Sequence, residues 1–534
     1  MIPYTWIKAV LQHIDFGVFN TSNPCHRFND SYLRRFLLNK LLKLLSLCFV
    51  FACSNALAVD TYNSANNQLT IPTVKVGDLF YNNVVVTVGS VVNVGTSAVS
   101  GSFDIYDGKT NQLTIPSVVV GSTTYNNVVI TVGSLVSVGG GSSSPTPPSA
   151  LAVATDAFMA PYLSSNGITA ASLTIMKNGV VLYTQAYGYK DLAGTVPLSA
   201  NALMTGASIV KPVTASAIQK LANAGSLALT DKVFCALGVT PSSANHCWIS
   251  STWVTSTDVR IQNITISHLL AHKGGWDRGL TNCYAYQVSP SPTRTTLTNN
   301  GNPCDPIQHE SIVQAVGSLT SAPTLEQDIK FFMNGRLDFA PGGPAIYSNF
   351  GYMLLGLIVE SASGTDFNTY VTANILSPLG VSSSDFKTNS SLLVNADSRE
   401  PNYITTLTSS SVYAPGTTVS ARNGVLNAAN FMAAATTAMT SKAMATFAGN
   451  FKIDTDANGV DGANNGLPLN GTTNSAYHRG DLPGTAAMLR QLLSGVSYAV
   501  LMNKNDLYEA SGTRKDYPSD VKAGIDAAIT TGGY

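Results

Sequence analysis

A stretch of 30 residues, "NNQLTIPTVKVGDLFYNNVVVTVGSVVNVG" from Asn66 to Gly95, recurs almost intact as "TNQLTIPSVVVGSTTYNNVVITVGSLVSVG" from Thr110 to Gly139. Gln68 maps to Gln112 and Tyr81 to Tyr125, a period of 44. Val and Ile alternate or run together between Gly, Pro and Asn-Asn turns, so each copy is expected to form a few short antiparallel strands. Little charge and no cluster of titratable side chains accompanies them, which places the chemistry elsewhere in the chain. The repeats suit a spacer or a contact with the cell wall or another surface.

The repeats end in "GGGSSSPTPPSA" from Gly139 to Ala150, flexible where Gly and Ser dominate and stiffer where Pro does. This marks a domain boundary. Four parts are expected: leader and signal over 1–58, repeats over 59–138, linker over 139–150 and one large domain over 151–534. In the large domain "ALAVATDAFMAPYLSSNG" reads as a helix, and "ASLTIMKNGVVLYTQAYGY" as two strands joined at Asn178-Gly179. Near the other end "GTAAMLRQLL" and "VSYAVLMN" return to strand pattern before a last helix at about Asp516 to Thr531. Strands at both ends with helices between them predict an α+β fold: one antiparallel sheet built from both ends, flanked by helices and carrying an inserted helical region.

The 534 residues carry 30 basic and 30 acidic side chains with no long run of one sign, which excludes the electrostatic footprint of a nucleic-acid binder. "RRFLLNKLLKLLSLCFVFACSNALAVD" has a basic start, an apolar core at about Leu41 to Ala52 and the small tripeptide Ala56-Leu57-Ala58, the pattern of a secretory signal. Export to a periplasm or to the medium is expected, with an uncleaved anchor or lipid attachment at Cys53 as alternatives. Cys235, Cys247, Cys283 and Cys304 follow the signal, and short loops favour Cys235 with Cys247 and Cys283 with Cys304 among three pairings.

Ser-x-x-Lys occurs at Ser208/Lys211, Ser384/Lys387 and Ser519/Lys522. The second copy lies in a Pro/Gly/Ser loop, and the third reads as a helix cap at Ser519. Only Ser208 opens a long helix, with Val213, Ala217, Ile218 and Leu221 at helical spacing. A serine hydroxyl needs a base within reach and donors for the oxyanion that its attack creates. Lys211, three residues on, reaches back to it, and burial would lower its pKa enough to take a proton. Further along, Tyr347-Ser348-Asn349 delivers a tyrosine and an asparagine to the start of an apolar helix. His478-Arg479-Gly480 stands just ahead of a strand, with Gly480 placed to let substrate backbone approach.

Taken with "ITISHLLAHKGGW" at Ile264 to Trp276 and "HRGDLPGT" at 478–485, these residues make the chain resemble, over about residues 165–510, the serine hydrolases related to class C β-lactamases, D-alanyl-D-alanine carboxypeptidases and esterases. The resemblance implies a β-lactamase/transpeptidase-like fold and an acyl-enzyme formed on Ser208 from a small-molecule or peptide substrate, without a metal or organic cofactor. It implies that Lys211 and Tyr347 share the proton work, either one being the base. It also implies that Asn349 binds substrate or holds Lys211, that His478 and Gly480 line the substrate, and that the backbone N–H groups of Ser208 and Asp481 form the oxyanion hole. His478 stands where many β-lactamases of the group carry lysine, which tilts the expectation toward an esterase or peptidase, with Arg479 partly restoring the charge. The bulk of Asp481 is expected to narrow the site or repel anions.

Two other patterns read as structure. His268 and His272 are spaced as a metal pair but lack an intervening Glu, and "DTDANGVDGANN" from Asp454 to Asn465 matches a calcium loop only until Asn465 replaces the closing Glu. The first is expected to pack and the second to be a turn-rich surface loop. The rival reading is a non-catalytic protein that recognises cell-wall ligands; intact Ser208, Lys211 and Tyr347 weigh against it.

Overall fold

The computed structural model describes residues 60–534 apart from 77–78, 96–103, 108–109, 121–122, 139–148, 255, 281, 284–294, 297–303, 306, 308–309, 389–396, 456–459, 463 and 506–514. The expected signal, Cys53 and most of the linker lie outside these residues, as does the side chain of Cys283. The chain divides into two compact units at Ser149/Ala150.

In the first unit the two repeats share one sheet: β1 (Asp60–Asn63), β2 (Gln68–Val76) and β3 (Leu79–Gly95) from one copy, β4 (Asp104–Asp107), β5 (Gln112–Val120) and β6 (Thr123–Val138) from the other. Their order is β1-β2-β3-β6-β5-β4, closed by parallel pairings β1–β5 and β2–β4 that cross from one copy to the other. Within each copy the strands pair antiparallel, as expected; the expectation that all are short is corrected, since β3 spans 17 residues and β6 16, and the copies interlock. The reason is burial. Leu69, Ile71 and Val84 of one copy meet Leu113, Ile115 and Val128 of the other in one core, so stacking the copies buries the apolar faces of both.

The second unit begins with α1 (Ala150–Ser165) and the hairpin β7 (Ala170–Lys177) and β8 (Val180–Gly188). After a helical region containing α2 (Lys211–Asn223), α3 (Ile266–Leu270), α4 (Asn349–Ser363) and α5 (Ser441–Ala448), the chain returns as β9 (Ala476–Leu482), β10 (Thr485–Gln491) and β11 (Val496–Met502) and ends in α6 (Tyr517–Thr531). The antiparallel order is β9-β10-β11-β7-β8, so both chain ends build one sheet, as expected.

Alternation sorts its faces. Leu173, Ile175, Met488, Tyr498 and Val500 pack with Leu151 and Met159 of α1 and Val521 and Ile525 of α6. The intervening Met176, Ala487, Leu489 and Leu501 join the core of the helical region. On that second face Ser172 and Thr174 meet the Ser441 hydroxyl at 2.8 and 2.9 Å, which seats α5.

Cys235 and Cys247 form the expected disulfide. Cys304 is also disulfide-bonded.

Candidate active site

The site begins with an irregular backbone. Ala207 has φ 48°, a left-handed conformation that costs a residue with a Cβ, and Ala207–Val210 form a single 3₁₀ turn before α2 starts at Lys211. Gly480 of β9 presses against this turn: a Cβ there would stand 2.2 Å from the Gly206 carbonyl oxygen. The close approach expected of Gly480 is therefore made by the chain's own backbone. Ser208 keeps partial exposure while its neighbours Ala207, Ile209 and Val210 are buried. The four predicted apolar positions of α2, Val213, Ala217, Ile218 and Leu221, are all buried and hold the helix rigidly behind the serine.

Lys211 is fully buried, and its Nζ has three neighbours: Asn349 Oδ1 at 2.7 Å, the Ala434 carbonyl at 2.6 Å and Ser208 Oγ at 3.1 Å. Ala434 lies in a wide turn, Met432–Thr436, whose Ala433 carbonyl also takes the Thr214 hydroxyl of α2 at 2.7 Å. Asn349 is held in register by donating its Nδ2 to Asp305 at 2.7 Å, which fixes its Oδ1 toward the lysine. Burial is the main cause that pushes Lys211 down to about 7; the carboxylates of Asp461 and Asp305 pull the other way, and the Arg278 guanidinium adds to the lowering.

Tyr347 donates its hydroxyl to Ser208 Oγ at 2.6 Å. It stands one residue before Ser348, whose side chain caps α4 by accepting from Gly351 N. Burial, followed by the negative charge of Asp461, raises the phenol well above 10, so the tyrosine is a donor and no resident phenolate. The Lys211 Nζ lies 4.7 Å from the centre of its ring and the Arg278 guanidinium 5.0 Å.

Three expectations are corrected on β9. His478 sits within the strand, its side chain only 2% exposed, and it faces Asp461 instead of an open cleft. Arg479 is already engaged with Asp481 and Asp516, each at 2.6 Å, so it does not restore a free charge. Asp481, paired with Arg479 and accepting from Asn505 at 3.0 Å, is neutralised and is not aimed at substrate as a bare carboxylate. The backbone N–H groups of Ser208 and Asp481 belong to the two segments that Gly480 brings together.

The calcium-like loop is also corrected. Asp461 and Asn465 are buried at 1% and 0% exposure, where a surface loop was expected. Asp461 accepts from His272 Nε2 at 2.8 Å and from Asn465 Nδ2 at 3.0 Å. His478 Nε2 is 3.0 Å from Asp461 Oδ1, the oxygen that Asn465 also uses, off the line of a hydrogen bond. His268 takes no part: its Nδ1 accepts from Thr265 N in the cap of α3. The other Ser-x-x-Lys copies are structural. Lys387 pairs with Asp397, and Asp516, not Ser519, caps α6.

Sequence reasoning missed Asp461, Asp305, Arg278 and the Ala434 carbonyl. A carboxylate amid turn residues and a backbone oxygen leave no periodic signal; only the spacing around Asp461 stood out, and it pointed toward calcium. Trp276, Arg278, Asp305, Phe332, Arg336 and Tyr347 help line a cleft of ≈ 560 Å³ including its open mouth, which meets the site through Tyr347 and Asn349.

A family model described as beta-lactamase matches residues 155–518, more than half of the chain. Protein flp of Staphylococcus aureus (strain MRSA252) is 28% identical over 227 residues, 42% of this chain and 36% of that protein. Penicillin-binding protein 4* of Bacillus subtilis (strain 168) is 28% identical over 208 residues, 38% of this chain and 35% of that one. The chain thus spans about a third of the length of these curated relatives. Among solved structures, the octameric penicillin-binding protein homologue from Pyrococcus abyssi aligns at 20% identity and TM-score 0.44, covering 71% of this chain and 77% of that one. The D-amino acid amidase from Ochrobactrum anthropi SV3 aligns at 17% identity and TM-score 0.46, covering 71% and 98%.

Proposed function

We propose, from the premise that this chain belongs to the beta-lactamase family, that it is a serine hydrolase which opens esters or amides through an acyl-enzyme on Ser208. One observation carries the reading. Two of the three neighbours of Lys211 Nζ are carbonyl oxygens, which only accept, while the third is the Ser208 hydroxyl. A neutral amine has two N–H donors and one lone pair. Its donors go to Asn349 and Ala434, and the lone pair is left for the serine proton.

In the first step Ser208 Oγ bonds to the substrate carbonyl carbon as its proton passes to Lys211, and the carbonyl electron pair moves to oxygen beside the N–H groups of Ser208 and Asp481. Collapse expels the leaving group, which takes a proton relayed from the lysine through the Tyr347 hydroxyl. Water, deprotonated by the same amine, then releases the acid and restores Ser208.

On β9 the His478 side chain is buried against Asp461 and Arg479 is paired twice, so a substrate carboxylate finds no open partner at either residue. The cleft is lined instead by the aromatic Trp276 and Phe332, with Arg278, Arg336, Asp277, Asp305 and Asp338 among its charged residues and Arg278 paired to Asp305 at 3.0 Å. This supports an ester or D-amino-acid amide with an apolar group over a β-lactam. The signal-like segment before Val59 supports export, and the charge-poor repeats support a surface contact or spacer. Steady-state turnover of p-nitrophenyl butyrate, D-phenylalanine amide and benzylpenicillin tests the substrate class. Turnover of the first or second is expected to exceed that of penicillin; preferential penicillin hydrolysis would reverse the assignment.

A further inference from the structure

The Asp461 carboxylate is almost wholly enclosed near the nucleophile, yet it hydrogen-bonds neither Ser208 nor Lys211. Its side chain is 0% exposed, and it lies between two histidines from distant segments. Each partner leads toward the reacting atoms. His272 accepts the Ser348 N–H at its Nδ1 (3.0 Å), so the ring proton resides on Nε2 and points at Asp461. That ring stacks on Tyr347 with centroids 4.7 Å apart and 28° between planes. Tyr347 in turn holds Ser208 Oγ. His478, on the other side, belongs to β9, the strand whose Gly480 is pressed against the turn before Ser208.

His272 itself is left-handed at φ 53°. A histidine rarely adopts this conformation, and the bonds to Asp461 and Ser348 hold it there.

We propose that Asp461 is a positioning residue of the hydrolytic site: through His272 it sets the orientation of Tyr347 against Ser208, and through His478 it ties that arrangement to β9. This rests on the reading of Ser208 as the nucleophile. The carboxylate has an electrostatic part as well. The groups facing Lys211 are Asp461, Asp305, Arg278 and the rings of Tyr347 and Tyr352, and those facing His272 are Asp461, Lys211, His478 and the rings of Tyr347 and Tyr352. Asp461 resists the fall of the lysine's pKa and, after burial, contributes most to keeping the Tyr347 phenol protonated.

Asp461→Asn keeps the shape and removes the charge. With p-nitrophenyl acetate as the probe, kcat is expected to fall on the order of tenfold with KM little changed. The acid limb of kcat/KM moves to lower pH, because the amine loses a partner that favoured its charged form. Asp461→Glu returns the limb to its wild-type position. A variant with the wild-type rate and profile, or one that loses rate with its limb unmoved, overturns the inference and leaves Ser208 as nucleophile intact. A wild-type protein that a fluorophosphonate fails to label at Ser208 overturns both.

Should the variants not fold, ¹⁵N-histidine spectra of the wild-type protein decide. His272 is expected as the neutral Nε2–H tautomer at pH 7 and above, because burial lowers its pKa from the ordinary value while Ser348 N–H occupies its Nδ1. An imidazolium or an Nδ1–H tautomer there contradicts the coupling.

Discussion

Lys211 Nζ lies 3.1 Å from Ser208 Oγ at the start of a helix that is buried almost throughout, and nothing but carbonyl oxygen fills its other two hydrogen-bonding directions. Burial makes the neutral amine accessible at ordinary pH, and the two carbonyls aim its lone pair. The proposed activation of Ser208 therefore needs no phenolate.

The first prediction concerns pH. Lys211, lowered to about 7, must be neutral to act, so kcat/KM for p-nitrophenyl acetate should rise tenfold per pH unit below about 7 and level off above it. Lys211→Met should lose roughly 10²–10⁴ in kcat and with it this limb. A profile still rising steeply beyond pH 9 would instead indicate the tyrosine.

Tyr347→Phe removes the donor to Ser208 Oγ without emptying its ring site over His272. The expected loss is roughly 10²–10³ in kcat, larger for amides than for activated esters because amide leaving groups need the relayed proton. Equal losses on both substrates would contradict a role in leaving-group protonation.

Gly480→Ala places a methyl group 2.2 Å from the Gly206 carbonyl oxygen, backbone against backbone, so no rotamer relieves it. Stability should drop by about 1–3 kcal/mol in chemical denaturation, and the turn bearing Ser208 should shift enough to slow its labelling. Wild-type labelling in this variant would show that β9 and the nucleophile turn are not coupled.

Glu310 and Asp328 form a buried carboxyl pair in which Asn430 Nδ2 donates to both, at 3.0 and 2.6 Å. Burial raises Glu310 well above 4.5 and Asp328 to about 6. Because the folded values exceed the unfolded ones, the pair's contribution is fully present below about pH 4 and is lost as pH rises through about 6 and beyond. Between pH 5 and 8 the Tm of the wild-type protein should fall relative to Glu310→Gln, by about 2 °C or more. Parallel Tm curves would mean that the pair stays ionised.

The sheet was legible because its strands are bounded by turns and its inner ones are buried on both faces, so β7, β10 and β11 stand out as apolar runs at either end of the domain, while the edge strand β8 was marked by the Asn178-Gly179 turn before it. Ser208, Lys211, Tyr347 and Asn349 were legible for a related reason: each marks the start of a long apolar helix, where spacing predicts direction. His478 misled because the strand extends further back than its polar residues suggest, and alternation puts that side chain on the same inner face as Gly480. Asp461 misled more deeply. Buried charge is paid for by partners distant in sequence, here His272 and His478, and no local pattern records them.

Everything proposed for this site depends on Ser208 being an activated nucleophile. Intact-mass spectrometry after incubation with a fluorophosphonate, with Ser208→Ala beside it, tests this most directly. The account predicts one stoichiometric adduct on the wild-type protein, mapped to the peptide containing Ser208 and absent from the variant. A folded wild-type protein that takes up no adduct, or a variant labelled equally well, would contradict it.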